Sequence, residues 1–583
     1  MYTKLPKGPS PLREIIDNLL NIAQTYSVAA THVTTLLRWV FVVLAVYILL
    51  TAILSLLRTR TTPVVWGYFL VEDGSNFPIT HWENVIGRAK SSDFNIPLKT
   101  VSNTQAILMR RQDERWVLKD LNSHNGTTVN GVELKPHKRY RINYGDEIIM
   151  GGVHCTIAPA SIEESTNNRL MRSDDREPVA PWKILLAITL FQALLIVQLI
   201  ISMGTDITFG SLFAIALLSV TMWVYVAIFK AMGRKGFEME MIAFFMSTIN
   251  LAVCTSFDPT ATFKQLVAVW IGMGLMVFMC IYMRDLERTK KIRPVLLILS
   301  VGLLLFNLIF GNMVYGAVNW VRIGGISFQP SELVKLAFIC IGAGTLEELY
   351  EKRNTYMYAG FSVFCLGCLA LMGDFGTALI FFATYLVVSF LRSGDLSRLL
   401  LTGVGALAMG LLVLRFKPYI ASRFATWGHA WDDPDAGGFQ QTRTMSFGSG
   451  GGLLGHGAGN GSMKNIFASD TDLVFGFVME EWGLIIATLL VICLVTLCLF
   501  AVMSIVAGRS TFYTIGACGA ATMILVQTML NIFGSLDLFP LTGVTFPFVS
   551  DGGTSMLTSW AMLAFFKAAD MRKNASLAVS KEQ

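Results

Sequence analysis

The sequence predicts a polytopic α-helical membrane protein carrying one small all-β domain near its N-terminus. Three observations predict it. Of the 583 residues, 53% are hydrophobic and 15% charged, and the mean hydropathy is +0.56, a composition that excludes an ordinary soluble globule. Thirteen separate apolar stretches each approach the length needed to cross a bilayer. Residues 64–158 alone break this pattern, with short alternating runs between turn dipeptides.

In chain order, residues 1–35 form a polar to amphipathic tail. The first apolar span, 36–57, is followed by Arg58 and Arg60 and is too long and too far into the chain for a cleaved signal, so it reads as a retained anchor. Runs such as WVLKDL (116–121) and DEIIMGGVHCTI (146–157), punctuated by Asn125-Gly126, Asn130-Gly131 and Gly145-Asp146, predict a β-sandwich over 64–158. A charged linker fills 159–182. An apolar hairpin follows at 183–229. Further spans are expected near 240–257, 264–283, 294–311, 332–349, 356–372, 375–392, 398–416, 476–502, 511–535 and 553–569, before a short tail at 574–583.

Charge sets the expected orientation. Lys230, Arg234 and Lys235 mark one loop and Arg284, Arg288, Lys290, Lys291 and Arg293 another. Lys352, Arg353, Arg392, Arg398, Arg509, Arg572 and Lys573 continue the series. The positive-inside rule puts these loops, the β domain and the C-terminus in the cytoplasm, and 312–330, 417–475 and 536–552 outside. The net charge of +6 is accounted for by such loops and gives no reason to invoke nucleic acid. Of nine cysteines, eight lie in apolar segments, so no disulfide framework is expected, and Cys365-x-x-Cys368 reads as core packing rather than a metal site.

Chemistry is expected in the outer loops, because acids at a bundle mouth are costly to keep unless they bind or react. In GAVNWVRIGGISFQPSELVKLAFI (316–339), Gln329, Glu332 and Lys335 open a helix, with Glu332 and Lys335 on one face. They form either a structural ion pair or a substrate contact. Asp374, in GDFGTALIF (373–381), is either a helix N-cap or a functional carboxylate. The loop 417–475 holds Arg423 ten residues before Asp433, in DDPDAGGFQQTRTMSFGSGGGLLGHGAGNG (432–461). Its GxGxxG follows no strand and opens no cytoplasmic helix, which argues against a dinucleotide site. For Asp433 the bland alternative is a turn residue of an Asp-Pro pair. Asp470 and Asp472 precede MEEWG (479–483), and FPLTGVTFPFVSDGGTSML (539–557) enters the last helix.

Two resemblances follow from these residues. Gly87-Arg88, Ser102, DLNSHNGTTVNG (120–131) and Gly145-Asp146 resemble a forkhead-associated (FHA) domain over about 65–158. The resemblance implies phosphothreonine recognition, with Arg88 and Ser102 on the phosphate and Asn103 and Asn125 on the peptide backbone. Gln105 stands where that family usually has a histidine bracing the loop. The second set, GA…W…FQPSE..K, DFGTAL, DP..GG(F)Q, GSGG…G.G, TD…EEWG and P.TG…PF.S.GG, resembles the SEDS family (shape, elongation, division and sporulation) over about 237–573, ten of the thirteen spans.

The SEDS resemblance implies polymerisation of lipid II into peptidoglycan strands beside a class B penicillin-binding protein. Asp433 takes the place of the family's essential aspartate and Arg423 that of a family arginine. It implies an inverting transfer, with Asp433 as base for the attacking 4-hydroxyl and no general acid, since lipid pyrophosphate leaves unaided. Lys335, Arg423 or a divalent cation (Mg2+ or Mn2+) held by the carboxylates would meet the pyrophosphate charge. Ala468, Asp470, Gly373 and Asn319 depart from the family pattern, and the hairpin 183–229 is extra to it. Two other classes stay open: a lipid II flippase, which needs no base, and a phosphothreonine-reading scaffold served by a Ser/Thr kinase. Its ligand would be a partner protein or a residue of this chain such as Thr166.

Overall fold

The computed structural model describes residues 27–58, 65–111, 114–161, 178–314, 317–323, 326–416, 418–504, 510–572 and 574–578. Most of the N-terminal tail, Arg60, Arg509, Lys573 and the linker segment with Thr166 lie outside them.

The first helix, α1 (Ser27–Arg58), leads into the β domain. There a six-stranded sheet, in the order β2 (Asn76–Ile79), β1 (Gly67–Val71), β11 (Val153–Pro159), β10 (Ile148–Met150), β7 (Thr127–Val129), β8 (Val132–Glu133), faces a five-stranded sheet in the order β4 (Phe94–Asn95), β3 (Glu83–Gly87), β5 (Ala106–Arg110), β6 (Trp116–Asp120), β9 (Arg139–Ile142). Alternation along the strands builds the core: Phe69, Ile86, Leu108, Trp116, Leu118, Ile148 and Ile157 fill the space between the sheets. Strand β1 (Gly67–Val71) pairs antiparallel with β11 (Val153–Pro159), Phe69 opposite Ile157. Strand β5 (Ala106–Arg110) pairs with β6 (Trp116–Asp120), Leu108 opposite Leu118.

The bundle follows: α2 (Pro181–Met203), α3 (Phe209–Ala231), α4 (Glu238–Phe257), α5 (Thr262–Tyr282), α6 (Leu286–Phe310), α7 (Pro330–Gly342), α8 (Leu346–Leu349), α9 (Lys352–Met372), α10 (Phe375–Ser393), α11 (Leu396–Phe416), α12 (Pro418–Thr426), α13 (Phe439–Gly450), α14 (Val474–Ser504), α15 (Thr511–Ser535) and α16 (Gly553–Ala569). Among the described residues ten helices are long and apolar enough to cross a membrane. The predicted spans 332–349, 398–416 and 553–569 are helices outside that ten. The first is shortened because α7 stops at Gly342 and a capping box, Thr345 with Glu348, starts the short α8. The predicted outer loop 312–330 holds a three-stranded sheet, β12 (Asn312–Val314), β13 (Ala317–Ile323) and β14 (Ile326–Phe328).

Helix α4 is buried on nearly every side, as a helix apolar all round must be. Helices α1, α2 and α3 pack about it, and between α1, α2 and α14 Phe191 stacks on Trp482 while Phe41 meets both rings at an angle. At one end Arg38 donates to the His456 carbonyl (2.5 Å) and Ser202 to the Ala458 carbonyl (2.6 Å). At the other end Ser55 donates to Glu238 and accepts from Val179 N (2.9 Å), so the chain leaves and re-enters the bundle side by side around the β domain. Nearby, Arg572 pairs with Glu238 (3.2 Å) and Asp570 (2.9 Å), and Lys567 with Glu240 (3.0 Å). The β domain sits at this end, against the loops at 285–290, 345–351 and 510–511; the 417–475 and 536–552 loops meet at the opposite end. All nine cysteines are free.

Candidate active site and phosphothreonine site

At the end away from the β domain, Pro330 starts α7 and places Glu332 and Lys335 one turn apart. Both are buried. Lys335 Nζ donates to Glu332 Oε1 (2.6 Å) and Gln527 Oε1 (2.9 Å), and Thr558 donates to Glu332 Oε2 (2.9 Å). Each charge is thus paired and hydrogen-bonded, the condition under which buried charge is tolerated. Asp374 caps α10 by accepting from Thr377 N (3.1 Å), and its other oxygen accepts from Gln329 (3.3 Å). Gln329, Glu332, Lys335 and Asp374 therefore form one polar patch spanning α7, α10, α15 and α16. The 536–552 loop packs onto it so closely that a Cβ on Gly376 would lie 2.4 Å from Val544 Cγ2.

The large loop is stitched to the same loop. Arg423 Nη1 donates to the Leu541 carbonyl (2.6 Å), and its charge acts on Asp472. Arg423 thus joins the 417–475 loop to the 536–552 loop. Burial pushes the Asp472 carboxyl up to about 6, against the Arg423 charge and helped by Asp374. Burial, then the neighbouring Asp551, pushes Asp470 up to about 7, and burial lifts Asp551 to about 6. Asp551 N donates to the Asp470 carbonyl (2.9 Å).

Asp433 follows a short 3-10 turn, Ala430–Asp432, and stays exposed. Its Oδ2 accepts from Gly437 N (3.1 Å) and its carbonyl from Gly438 N (3.0 Å), which is the turn chemistry an Asp-Pro pair suggests and still leaves the carboxylate facing solvent. Its neighbours diverge: Asp432 takes His429 (3.1 Å) and Asp435 takes Arg443 (3.3 Å). Among the described residues no group of three or more His, Cys, Asp or Glu is arranged to hold a metal ion, so the expected divalent cation meets no preformed donor set there. Asp537, which sequence reasoning passed over, anchors this loop by accepting from Gly428 N (3.1 Å) and Ala430 N (3.2 Å). Trp427 adds a bond to the Leu538 carbonyl (2.9 Å).

The glycine-rich segment after α13 wraps a break in α14. Gly483 lies at φ 83°, ψ 165°. The freed Glu480 and Glu481 carbonyls accept from His456 N (2.9 Å) and Gly457 N (2.8 Å). Glu480 also holds Ser462 N and Met463 N (both 2.8 Å). Gly455 is required here: a Cβ would lie 2.2 Å from the Glu481 carbonyl. These glycines serve backbone packing, as expected.

In the β domain, Arg88, Ser102, Asn103 and Asn125 come together on one set of loops. Arg88 Nε and Nη2 donate to Asn103 Oδ1 (3.3 and 3.2 Å), Ser102 Oγ accepts from His124 N (2.9 Å) and Asn125 donates to the Thr100 carbonyl (2.7 Å). Gln105 does not loosen the loop. It is fully buried, accepts from Ser102 N (2.9 Å), and donates to the Gly126 carbonyl (2.8 Å) and Thr127 Oγ1 (3.1 Å), bracing the Ser102 and Asn125 loops against each other.

The model of the FtsW/RodA/SpoVE cell cycle proteins matches residues 237–575, more than half of the chain. The chain belongs to this family. The FHA domain model matches residues 84–151. A probable peptidoglycan glycosyltransferase FtsW of Moranella endobia (strain PCIT) is 31% identical over 342 residues, 56% of this chain and 88% of that protein. Stage V sporulation protein E of Bacillus subtilis (strain 168) is 29% identical, over 52% of this chain and 84% of that protein. A solved chain from a peptidoglycan synthase complex that coordinates polymerisation and crosslinking is 25% identical over 58% of this chain and 98% of its own, with a TM-score of 0.49. The SEDS core thus begins at α4, and α1 to α3 with the FHA domain are additions to it. At the family-divergent stretch 468–472, Ala468 takes φ 57° and its carbonyl accepts from Asp472 N (3.0 Å), a tight turn that turns Asp470 toward Asp551.

Proposed function

We propose that this protein is a peptidoglycan glycosyltransferase that polymerises lipid II at the outer face of the cytoplasmic membrane, with its FHA domain in the cytoplasm. The observation that carries the reading is the exposed Asp433 carboxylate, on a loop tied by Asp537 to the same outer segment that carries the Arg423 contact. Asp433 takes the proton of the acceptor 4-hydroxyl as the new glycosidic bond forms and the lipid pyrophosphate departs. Arg423 is the loop cation that the family resemblance offers to that pyrophosphate. Lys335, with bonds to Glu332 and Gln527, supports the site from within. Gln329 and Asp374 extend the polar patch toward the substrate. A class B penicillin-binding protein is the partner the family resemblance implies. The FHA domain reads a phosphothreonine written by a Ser/Thr kinase.

The deciding experiment incubates lipid II with purified wild type and Asp433→Ala and resolves the glycan chains on gels. Chains from wild type and none from a variant with an unchanged melting temperature are expected. Normal chains from the variant would sink the assignment and favour a role, such as flipping, that needs no base.

A further inference from the structure

We propose that the FHA domain is a clamp acting on its own chain. One face of its sheet is built to hold the ends of α7 and α15, the two helices that carry Lys335 and Gln527. On its control of catalysis, this rests on the glycosyltransferase reading.

The sheet face supplies the first argument. Along β5 and β6, Leu108, Trp116 and Leu118 point into the sandwich, so Ile107, Met109, Val117 and Lys119 point away from it. On a free sandwich that outer face meets water and reads polar. Here it is apolar and buried, and Leu346 of α8 packs on Ile107, Met109 and Val117.

Charge gives the second argument. Lys119, 1% exposed, pairs with Glu347 (3.0 Å). Arg139 forks onto the same carboxylate, Nη2 at 2.6 Å and Nε at 2.9 Å, the planar recognition for which guanidinium is suited. Burial opposes ionisation of Glu347, but Arg139, Lys290 and Lys119 together bring it down to about 2.

The third argument is connectivity. A single FHA carboxylate, Glu83, accepts from Leu346 N (3.0 Å) and Thr511 N (3.1 Å). The first lies four residues beyond the end of α7 and the second is the first residue of α15. Near the other end the same two helices meet through Lys335 and Gln527 (2.9 Å). One FHA carboxylate at the β-domain end and one Lys335–Gln527 hydrogen bond further along thus tie the same two helices at two levels. Among the described residues, the phosphate-side residues Arg88, Ser102, Asn103 and Asn125 bond within the FHA domain, so a phosphopeptide docks while the clamp is closed.

The test uses the full chain in lipid nanodiscs and Met109→Glu, which puts a charge against Leu346 and leaves the sandwich core intact. Hydrogen exchange at residues 345–349 and 511–513 should quicken at least tenfold, with unchanged exchange in β1, β10 and β11. Glycan synthesis should fall at least fivefold. Wild-type protection at 345–349 and 511–513 in the variant overturns the docking, and lost protection with full glycan synthesis overturns the clamp. If wild-type protein itself makes no glycan, the glycosyltransferase reading fails, and the exchange measurement alone decides the docking.

Discussion

Lys335→Ala isolates the energetics of the polar patch. The substitution removes both the 2.6 Å partner of Glu332 and the 2.9 Å donor to Gln527. Thr558 remains on Glu332, but one neutral hydroxyl does not replace an ammonium. A buried carboxylate that loses its counter-charge costs about 3–5 kcal/mol. At ~2–4 °C per kcal/mol for a large domain, the melting temperature should fall by at least ~6 °C. Glu332→Gln/Lys335→Met removes both charges while keeping approximate volume, and pairs replaced together are often close to neutral. The double variant should therefore recover most of the lost stability, yet not full glycan synthesis if the patch also orients substrate. The assay is thermal unfolding in a fixed detergent, followed by intrinsic fluorescence, beside the lipid II gel assay. Lys335→Ala melting within a degree of wild type, or a double variant no better than the single, would refute the reasoning.

Arg88→Ala should cost at least ~1.5–3 kcal/mol of phosphothreonine-peptide binding, because charge-assisted bonds dominate phosphate capture; equal affinity for phosphorylated and plain peptides in titrations of the wild-type chain would end the recognition reading. Asp537→Ala removes the charged acceptor of two backbone N–H groups and should loosen 428–433 by ~1.5–3 kcal/mol, seen as faster hydrogen exchange there and slower glycan synthesis with Asp433 intact. Asp470 is raised from 3.8 to about 7, so its ionisation in the folded state opposes stability. The penalty is absent below about 4 and grows as pH rises to about 7. Asp470→Asn should accordingly raise the melting temperature at pH 8 and leave it nearly unchanged at pH 4, as thermal scans across pH would show.

Local pattern carried much of this structure. Periodicity and length located the membrane helices, and turn dipeptides with alternation located the sandwich. The break in the predicted span 332–349 was written in the Thr345-x-x-Glu348 box, but the apolar run 336–343 leading into it hid it. What sequence could not convey was pairing across distance. Arg423 and Asp433 sit ten apart, yet the arginine turns to Leu541, 118 residues away. Asp537 reads as one acid in an apolar loop until its two N–H partners are placed. Gln105 departs from its family's residue and still does the same mechanical work, since an amide offers both a donor and an acceptor. The outward apolar residues of β5 and β6 lie in the short runs AILM (106–109) and WVL (116–118), too brief to separate a doubly covered sheet from an alternating strand.

The bond from Val179 N to Ser55 Oγ fixes both points at which the FHA domain joins the bundle. A domain held at its entrance and its exit cannot drift away, and its local concentration over the adjoining surface is on the order of millimolar or higher. Contacts too weak to unite two separate proteins are therefore sufficient here. A compact interface built on Leu346, the Glu347 ion pairs and the Glu83 carboxylate needs little binding energy of its own to stay formed, because the chain never lets its two sides separate.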